Sequence, residues 1–365
     1  MLTMRNFNNI KPYKPGKPIE EVKRALQLEE VYKLASNEIP FVPAYIRKAV
    51  IKEIENINRY PEGGSFYLRE LVAKKHKVKP EQVVFGNGSD EVIALAITAA
   101  CAPGDEIVIS DPTFLVYEIQ ALVRGAKVVK IPAKNYRYDL DAMAKVITEK
   151  TKIVIIANPD NPSGTYCTPK EIKAFLEKIP RSVLVFFDEA YFEFAQADFP
   201  DSLKLLNERG NIIFSRTFSK VYALAGVRLG YGITSEEIAN ILNTIREPFN
   251  INRFAQVAGI AALKDKNFVK KMIAFNNREK ERFYKEFDRL GVEYVKSATN
   301  FIMVKWGTDT TKLNDYLLKN GLIIRELKGW GLAGYFRVTT GLPKENMKFI
   351  KCLSSYLSKT KGDRE

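Results

Sequence analysis

The chain is short of the residues on which much enzyme chemistry runs. It has one histidine in 365 residues. That count excludes metal sites built on several histidines, and it leaves a Ser/His/Asp or Cys/His nucleophile system only if His76 is its base. His76 sits in KKHKVKP (74–80) among charged neighbours, where an exposed loop or helix end is expected. The three cysteines, Cys101, Cys167 and Cys352, stand far apart with no CxxC pair, which argues against a disulfide framework or a zinc site. Long apolar runs are missing too. The longest weakly polar stretch, Val92 to Ala102, is far shorter than the roughly 20 residues a membrane-spanning helix needs. Residues 1–18 are polar, with lysines and prolines and no apolar core, so no secretory signal is expected and the chain reads as cytoplasmic. No GxxxxGK[ST] phosphate loop occurs. If this chain is an enzyme, lysine, tyrosine, carboxylates or a bound cofactor must move its protons.

What is present is ordinary in composition and long enough for one large domain with a smaller one beside it. The net charge of +14 invites a nucleic-acid or phosphate partner. Yet the lysines are spread along the chain and mixed with Glu and Asp, as in 264–291, which reads as a solvated amphipathic helix. A Lys/Glu-rich surface with no nucleic-acid or membrane partner is the expectation.

Short apolar runs alternate with helical patterns from about residue 45 to 260, the signature of a mainly parallel α/β sheet. Strands are predicted at 83–85, 106–110, 127–131, 152–157, 183–187 and 211–215, and helices at 91–101, 114–124, 139–149, 168–178 and 220–226. From about 265 the pattern changes to a long charged helix, a strand-like 294–306, a helix near 311–320, then GLIIRE (321–326) and YFRVTTG (335–341). The division expected is an N-terminal arm and part of the small domain over 1–45, a large domain over 46–262 and a small α+β domain over 263–365. GWGLAG (329–334) matches GxGxxG by letter, but a strand-like segment follows where a dinucleotide fingerprint requires a helix, so it reads as a loop.

Ligands of open α/β sheets bind beyond the carboxyl ends of the strands. Five features stand there. GNGSDE (86–91) opens a helix whose free N–H groups suit one phosphate, or is an ordinary cap. Phe114 follows the next strand and could stack on a ring or fill core. NPDNPSG (158–164) presents the amide of Asn161, or is a stiff turn. Asp188 follows five apolar residues, where a carboxylate loses water and needs a cationic partner, with Tyr191 three residues on able to reach the same ligand, or it caps the next helix or pairs with a structural lysine. Lys220, in SRTFSKVYALAGVRLGY (215–231), sits in apolar surroundings that would lower an amine's pKa and make it nucleophilic, or is a surface lysine at a helix start. Together a phosphate cradle, a stacking ring, an amide, a buried acid and a desolvated lysine describe a site for pyridoxal 5'-phosphate, with Arg228 adding a bidentate phosphate contact.

These motifs, in this order and spacing, resemble the aspartate-aminotransferase superfamily of fold-type-I pyridoxal-phosphate enzymes. Within it, 10–22, 33–43 and 58–73 are similar to the histidinol-phosphate aminotransferase branch. The resemblance implies an α/β fold, PLP-dependent transferase fold type I, with a mainly parallel seven-stranded sheet in the large domain and a smaller α+β domain. It implies that Lys220 is the Schiff-base lysine and proton carrier, that Asp188 holds the pyridine nitrogen protonated, and that Asn161 and Tyr191 bind the ring oxygen. Phe114 would stack on the ring, and Gly88, Ser89, Asp90, Ser219 and Arg228 would surround the phosphate. Tyr60 would reach the phosphate from a partner subunit, which makes a homodimer. Arg337 and Arg325 would take the phosphate of histidinol phosphate and a carboxylate of 2-oxoglutarate or glutamate, under a cover that includes Tyr13 and Asn37. NEIP (37–40), NPDNPSG and VYALAG (221–226) depart from the NENP, NPNNPTG and YGLAG more usual in the family. Aromatic-amino-acid aminotransferase and threonine-phosphate decarboxylase remain alternatives on the same scaffold. A cofactor-sensing regulator is a third, and a plain phosphate or nucleic-acid binder, with salt-dependent affinity and no chromophore, is a fourth.

Overall fold

A computed structural model describes residues 7–8, 10–195 and 198–362; the start of the expected N-terminal arm (1–6 and 9) and the last three residues of the expected small domain lie outside them. After a two-residue strand β1 (Tyr32–Lys33) come β2 (Val83–Gly86), β3 (Glu106–Asp111), β4 (Lys127–Pro132), β5 (Thr151–Ala157), β6 (Leu184–Asp188), β7 (Ile212–Thr217) and β8 (Gly230–Ile233). The last seven form one sheet in the order β2-β8-β7-β6-β5-β3-β4. β3 to β7 run parallel to one another, whereas β8 is antiparallel to both β2 and β7.

The apolar runs are continuous because both faces of this sheet are covered. Alternate residues enter opposite cores: Val154, Ile156, Val185 and Phe187 on one side, Ile153, Ile155 and Phe186 on the other. That alternation carries on past the apolar residues, so Asp188 and its register partner Ser215 share the face of Phe186 and Ile213.

The remaining strands are β9 (Glu293–Val295), β10 (Phe301–Lys305), β11 (Leu322–Ile323), β12 (Arg325–Glu326) and β13 (Tyr335–Thr339). Four of them form an antiparallel sheet, β12-β13-β10-β9, over a separate core of Phe283, Phe287, Ile302, Phe336 and Phe349. β1 pairs in parallel with β11, and Leu34 accepts from the backbone of Thr339, which ties the N-terminal segment to this unit.

Several expectations need correction. Segment 294–306 is two antiparallel strands with a turn between, and GLIIRE divides between two sheets. β8, GYGI, was not expected: glycine weakens the strand signal, yet Gly230 is needed because a Cβ there would lie 2.3 Å from the backbone nitrogen of Ser89. The helix expected at 220–226 does not form. Its place is taken by a loop with a short 3₁₀ turn, Ala225–Val227, closed by Phe218 N–H to Leu229 and Leu224 N–H to Phe218. The largely extended N-terminal arm also holds a helix, Ile19–Leu26.

His76 is helix-terminal as expected but not exposed. It ends the helix Phe66–His76, is 6% exposed, and its Nε2 lies 2.8 Å from the hydroxyl of Tyr231. Burial, followed by the charges of Arg216 and Lys75, drives its pKa far below the usual histidine range. Arg216 itself is neutralised by Glu189 in a buried ion pair at 2.9 Å. The side chain of His76 therefore belongs to a buried polar cluster, not to the charged surface its neighbours suggested.

Candidate active site

The carboxyl ends of β5, β6 and β7 and the start of the helix Ser89–Ala100 open on a cavity of about 390 Å³. It brings together thirteen of the residues singled out above: Tyr13, Asn37, Ser89, Asp90, Phe114, Asn161, Asp188, Tyr191, Ser219, Lys220, Arg228, Arg325 and Arg337. Gly88 does not line the cavity; it precedes Ser89 and packs against the Arg228 guanidinium, which does. Tyr60 does not reach the cavity; it is 80% exposed and stacks on Phe249 at 4.8 Å.

Asp188 is the electrostatic centre of the site. It is 5% exposed, and among the described residues no basic side chain pairs with it. Its oxygens accept from the Tyr117 hydroxyl at 2.6 Å, the Ala190 N–H at 3.1 Å and the Ser215 hydroxyl at 3.3 Å. Burial outweighs these donors and pushes its pKa up to about 6. A desolvated carboxylate held by neutral donors on a cavity wall is complementary to a cation that comes from outside the chain.

Lys220 opens onto the same cavity. Burial, and after it the charge of Arg337, lowers its pKa to about 8, so an appreciable fraction of the amine is neutral near physiological pH. Its Nζ lies 5.6 Å from the centroid of the Tyr191 ring. Tyr191 accepts at its hydroxyl from Asn37 Nδ2 at 2.7 Å, and burial raises its own pKa to about 12, which keeps the phenol protonated. Asn37 thus acts on Tyr191, and its left-handed backbone (φ 58°) is anchored by Thr339 and Asn300.

At the helix start Gly88 has φ 80°, and a Cβ there would stand 2.4 Å from Nη2 of Arg228. Only glycine lets the guanidinium pass so close to the first free N–H groups. Arg228 pairs with Asp90 at 3.2 Å and meets the Ser219 hydroxyl at 3.5 Å. Across the cavity Phe114 packs edge-on to Tyr13 and Tyr117.

Arg325 and Arg337 face each other in register on neighbouring strands. Arg337, 4% exposed, donates to the side-chain oxygen of Asn161 and to the Ala35 carbonyl at 3.0 Å. Arg325 donates to the Lys14 carbonyl at 2.6 Å. The Nε of each is buried without a hydrogen-bond partner. Burial lowers both pKa values, and the charge of Arg325 lowers that of Arg337 further. Two like charges directly across a strand pair, each with an unused donor, are an arrangement that an anion stabilises.

The donor set fits pyridoxal phosphate. Asp188 suits a protonated ring nitrogen, Ser89, Asp90, Ser219 and Arg228 line the helix start where a phosphate is favoured, Phe114 offers a ring face, and Lys220 a nucleophilic amine. Sequence reasoning missed Tyr117 and Ser215, which hold Asp188, and Thr339, which holds Asn37. Tyr117 stands in the first turn of the helix Val116–Arg124, where its ring meets Phe114, just before the helix, edge-on.

The family described as class I and II aminotransferases matches residues 29–350. The chain is 42% identical to histidinol-phosphate aminotransferase 2 of Carboxydothermus hydrogenoformans over 98% of its length and 99% of the relative's. It is 44% identical to histidinol-phosphate aminotransferase of Moorella thermoacetica, with 96% and 92% of the two chains covered. Among solved structures, histidinol-phosphate aminotransferase from Sinorhizobium meliloti in complex with pyridoxal-5'-phosphate superposes with a TM-score of 0.88 at 26% identity, covering 98% of this chain and 100% of that one.

Proposed function

This chain belongs to the class I and II aminotransferases, and from that membership we propose that it passes the amino group of L-histidinol phosphate to 2-oxoglutarate. The products are imidazole acetol phosphate and L-glutamate, the setting is histidine biosynthesis, and the cofactor is pyridoxal 5'-phosphate. The observation that carries the substrate assignment is the cross-strand pair Arg325 and Arg337, whose unpartnered Nε groups stand at the cavity that also holds Lys220 and Asp188. A phosphorylated amine and a dicarboxylate acceptor each bring the negative charge such a pair favours.

Once bound, pyridoxal phosphate supplies a carbonyl that captures the amine and a ring that takes up the electrons left when a proton departs. The chain does the rest. Asp188, oriented by Tyr117 and Ser215, would hold the ring nitrogen protonated, and its charge would then gain the partner it lacks within the fold. Lys220, whose Nζ opens on the cavity, would anchor the cofactor and would take a proton from the substrate carbon and give it back. A pKa near 8 suits an amine that must act as base and then as acid at neutral pH. Tyr191 and Asn161 would address the ring oxygen, and Arg337, already bonded to Asn161, would couple substrate binding to that contact. One cavity serves donor and acceptor, so the two half-reactions run in turn.

We also read the enzyme as a cytoplasmic homodimer. Ile54, Ile57, Tyr60, Phe66 and Tyr67 are apolar and exposed close together in the sequence, and exposed Phe249 stacks on Tyr60, a surface that suits a subunit interface at which Tyr60 would serve the neighbouring site. Steady-state rates with L-histidinol phosphate, L-phenylalanine and threonine phosphate test the function. Highest kcat/KM with histidinol phosphate supports it, preference for phenylalanine replaces the substrate, and carbon dioxide release from threonine phosphate replaces the reaction.

A further inference from the structure

The GWGLAG segment, followed by a strand and not a helix, connects the strand of Arg325 to the strand of Arg337. Its glycines have local reasons. Gly331 adopts φ 74° to reverse the chain, and a Cβ on Gly334 would lie 1.8 Å from the carbonyl oxygen of Gly307. The turn is closed by Trp330 N–H to Leu327, Leu332 N–H to Leu327 and Leu327 N–H to Tyr335. It folds Trp330 back until the indole, 6% exposed and packed with Met303 and Leu327, lies 4.9 Å from the guanidinium carbon of Arg325. Tyr13 of the N-terminal segment approaches the same guanidinium at 5.5 Å, and the neighbouring Lys14 carbonyl accepts from its Nη2. Trp330 is not among the residues that line the cavity, whereas Arg325 and Tyr13 are.

We propose that Trp330 is a positioning residue for substrate affinity: it acts through Arg325, holding the guanidinium in one plane so that its free donors meet the substrate's phosphate. The inference rests on the reading of Arg325 as an anion-binding group. An arginine fixed by two aromatic rings and a backbone carbonyl has little side-chain freedom left to lose on binding, and the ring faces attract its charge. Removing the indole therefore weakens anion binding and leaves proton transfer at Lys220 untouched.

The test compares holoenzymes of wild type, Trp330→Leu, Trp330→Phe and Arg325→Gln, with Trp330→Leu and Trp330→Phe also placed in the Arg325→Gln background. KM and kcat are measured for L-histidinol phosphate, and the dissociation constant for inorganic phosphate is measured by calorimetry. Trp330→Leu is expected to raise KM and the phosphate dissociation constant roughly 3- to 30-fold with kcat nearly unchanged, while Trp330→Phe keeps most of the affinity. In the Arg325→Gln background neither tryptophan substitution should weaken binding further. If Trp330→Leu does not fold, Trp330→Phe in the two backgrounds still decides, because its smaller effect must vanish without Arg325. Unchanged phosphate affinity, a loss confined to kcat, or equal effects with and without Arg325 would overturn the inference. Should wild type fail to turn over histidinol phosphate, the proposed substrate falls instead, and the phosphate dissociation constants alone decide the role of Trp330, wild type that binds no phosphate counting against it.

Discussion

Replacing Asp188 by asparagine should stabilise the cofactor-free protein at pH 8 while abolishing its activity. The carboxyl has a pKa of about 6 in the fold against 3.8 for an unperturbed aspartate. Its folded pKa is the higher one, so between these values the folded chain keeps a proton that the unfolded chain has released, and stability falls as pH rises. At about 1.36 kcal/mol per pH unit, the carboxyl's contribution is roughly 3 kcal/mol at low pH and is lost as pH passes 6. About half of that, on the order of 1–2 kcal/mol, disappears between pH 5 and 8. Asparagine fills nearly the same space and does not titrate. Asp160, Glu189 and Glu193 are also raised by burial, but they are common to both proteins and cancel in the comparison. Urea unfolding of the two cofactor-free proteins, followed by circular dichroism at pH 5 and pH 8, reads the difference directly. The stability of the variant relative to wild type should rise by roughly 1–2 kcal/mol across that interval, and added pyridoxal phosphate should stabilise wild type more than the variant. Parallel pH dependence in the two proteins would refute the claim that this carboxylate is held at a cost within the fold until a cation arrives.

Gly88→Ala forces a Cβ to within 2.4 Å of the Arg228 guanidinium and keeps a left-handed backbone. It should weaken cofactor binding at least tenfold by equilibrium dialysis and cost on the order of 1–3 kcal/mol of stability. Ala223 has φ 59° where the family more often has glycine, so Ala223→Gly should relieve strain and, after the added chain entropy, stabilise by roughly 0.5–1 kcal/mol, visible as a higher thermal midpoint. If sites are shared across a homodimer, mixing inactive Lys220→Ala with impaired Tyr60→Ala subunits should restore activity, because a hybrid dimer holds one site with both groups intact; no recovery after subunit exchange would count against Tyr60 as a partner residue.

Much of the site was legible because it lies where sheet chemistry puts ligands. The apolar runs ending in Asp188 and in the residues before Ser219 and Lys220 marked β6 and β7, and the turn residues after β2 and β5 marked the rim. What escaped the sequence depended on contacts between distant segments. Tyr117 reads as an ordinary apolar helix residue until β6 brings Asp188 to its hydroxyl. His76 reads as exposed because its neighbours are lysines, yet the end of its helix is driven against β8 and Arg216. The helix expected after Lys220 was a reading of small and apolar residues with good helix propensity, overridden by the loop that must return Arg228 to the start of the helix at Ser89. Trp330 carried no signal beyond a misleading glycine pattern, and its place beside Arg325 follows only from how the two strands are joined.

The most direct test of the account is reduction of the purified protein with borohydride in the presence of pyridoxal phosphate, followed by peptide mass mapping and absorption spectra. A visible band that borohydride bleaches, with the cofactor's mass fixed on the peptide containing Lys220 and absent from Lys220→Ala, is the predicted result. No band, or label spread over surface lysines and unchanged in Lys220→Ala, would contradict the assignment of Lys220 and the chemistry built on it.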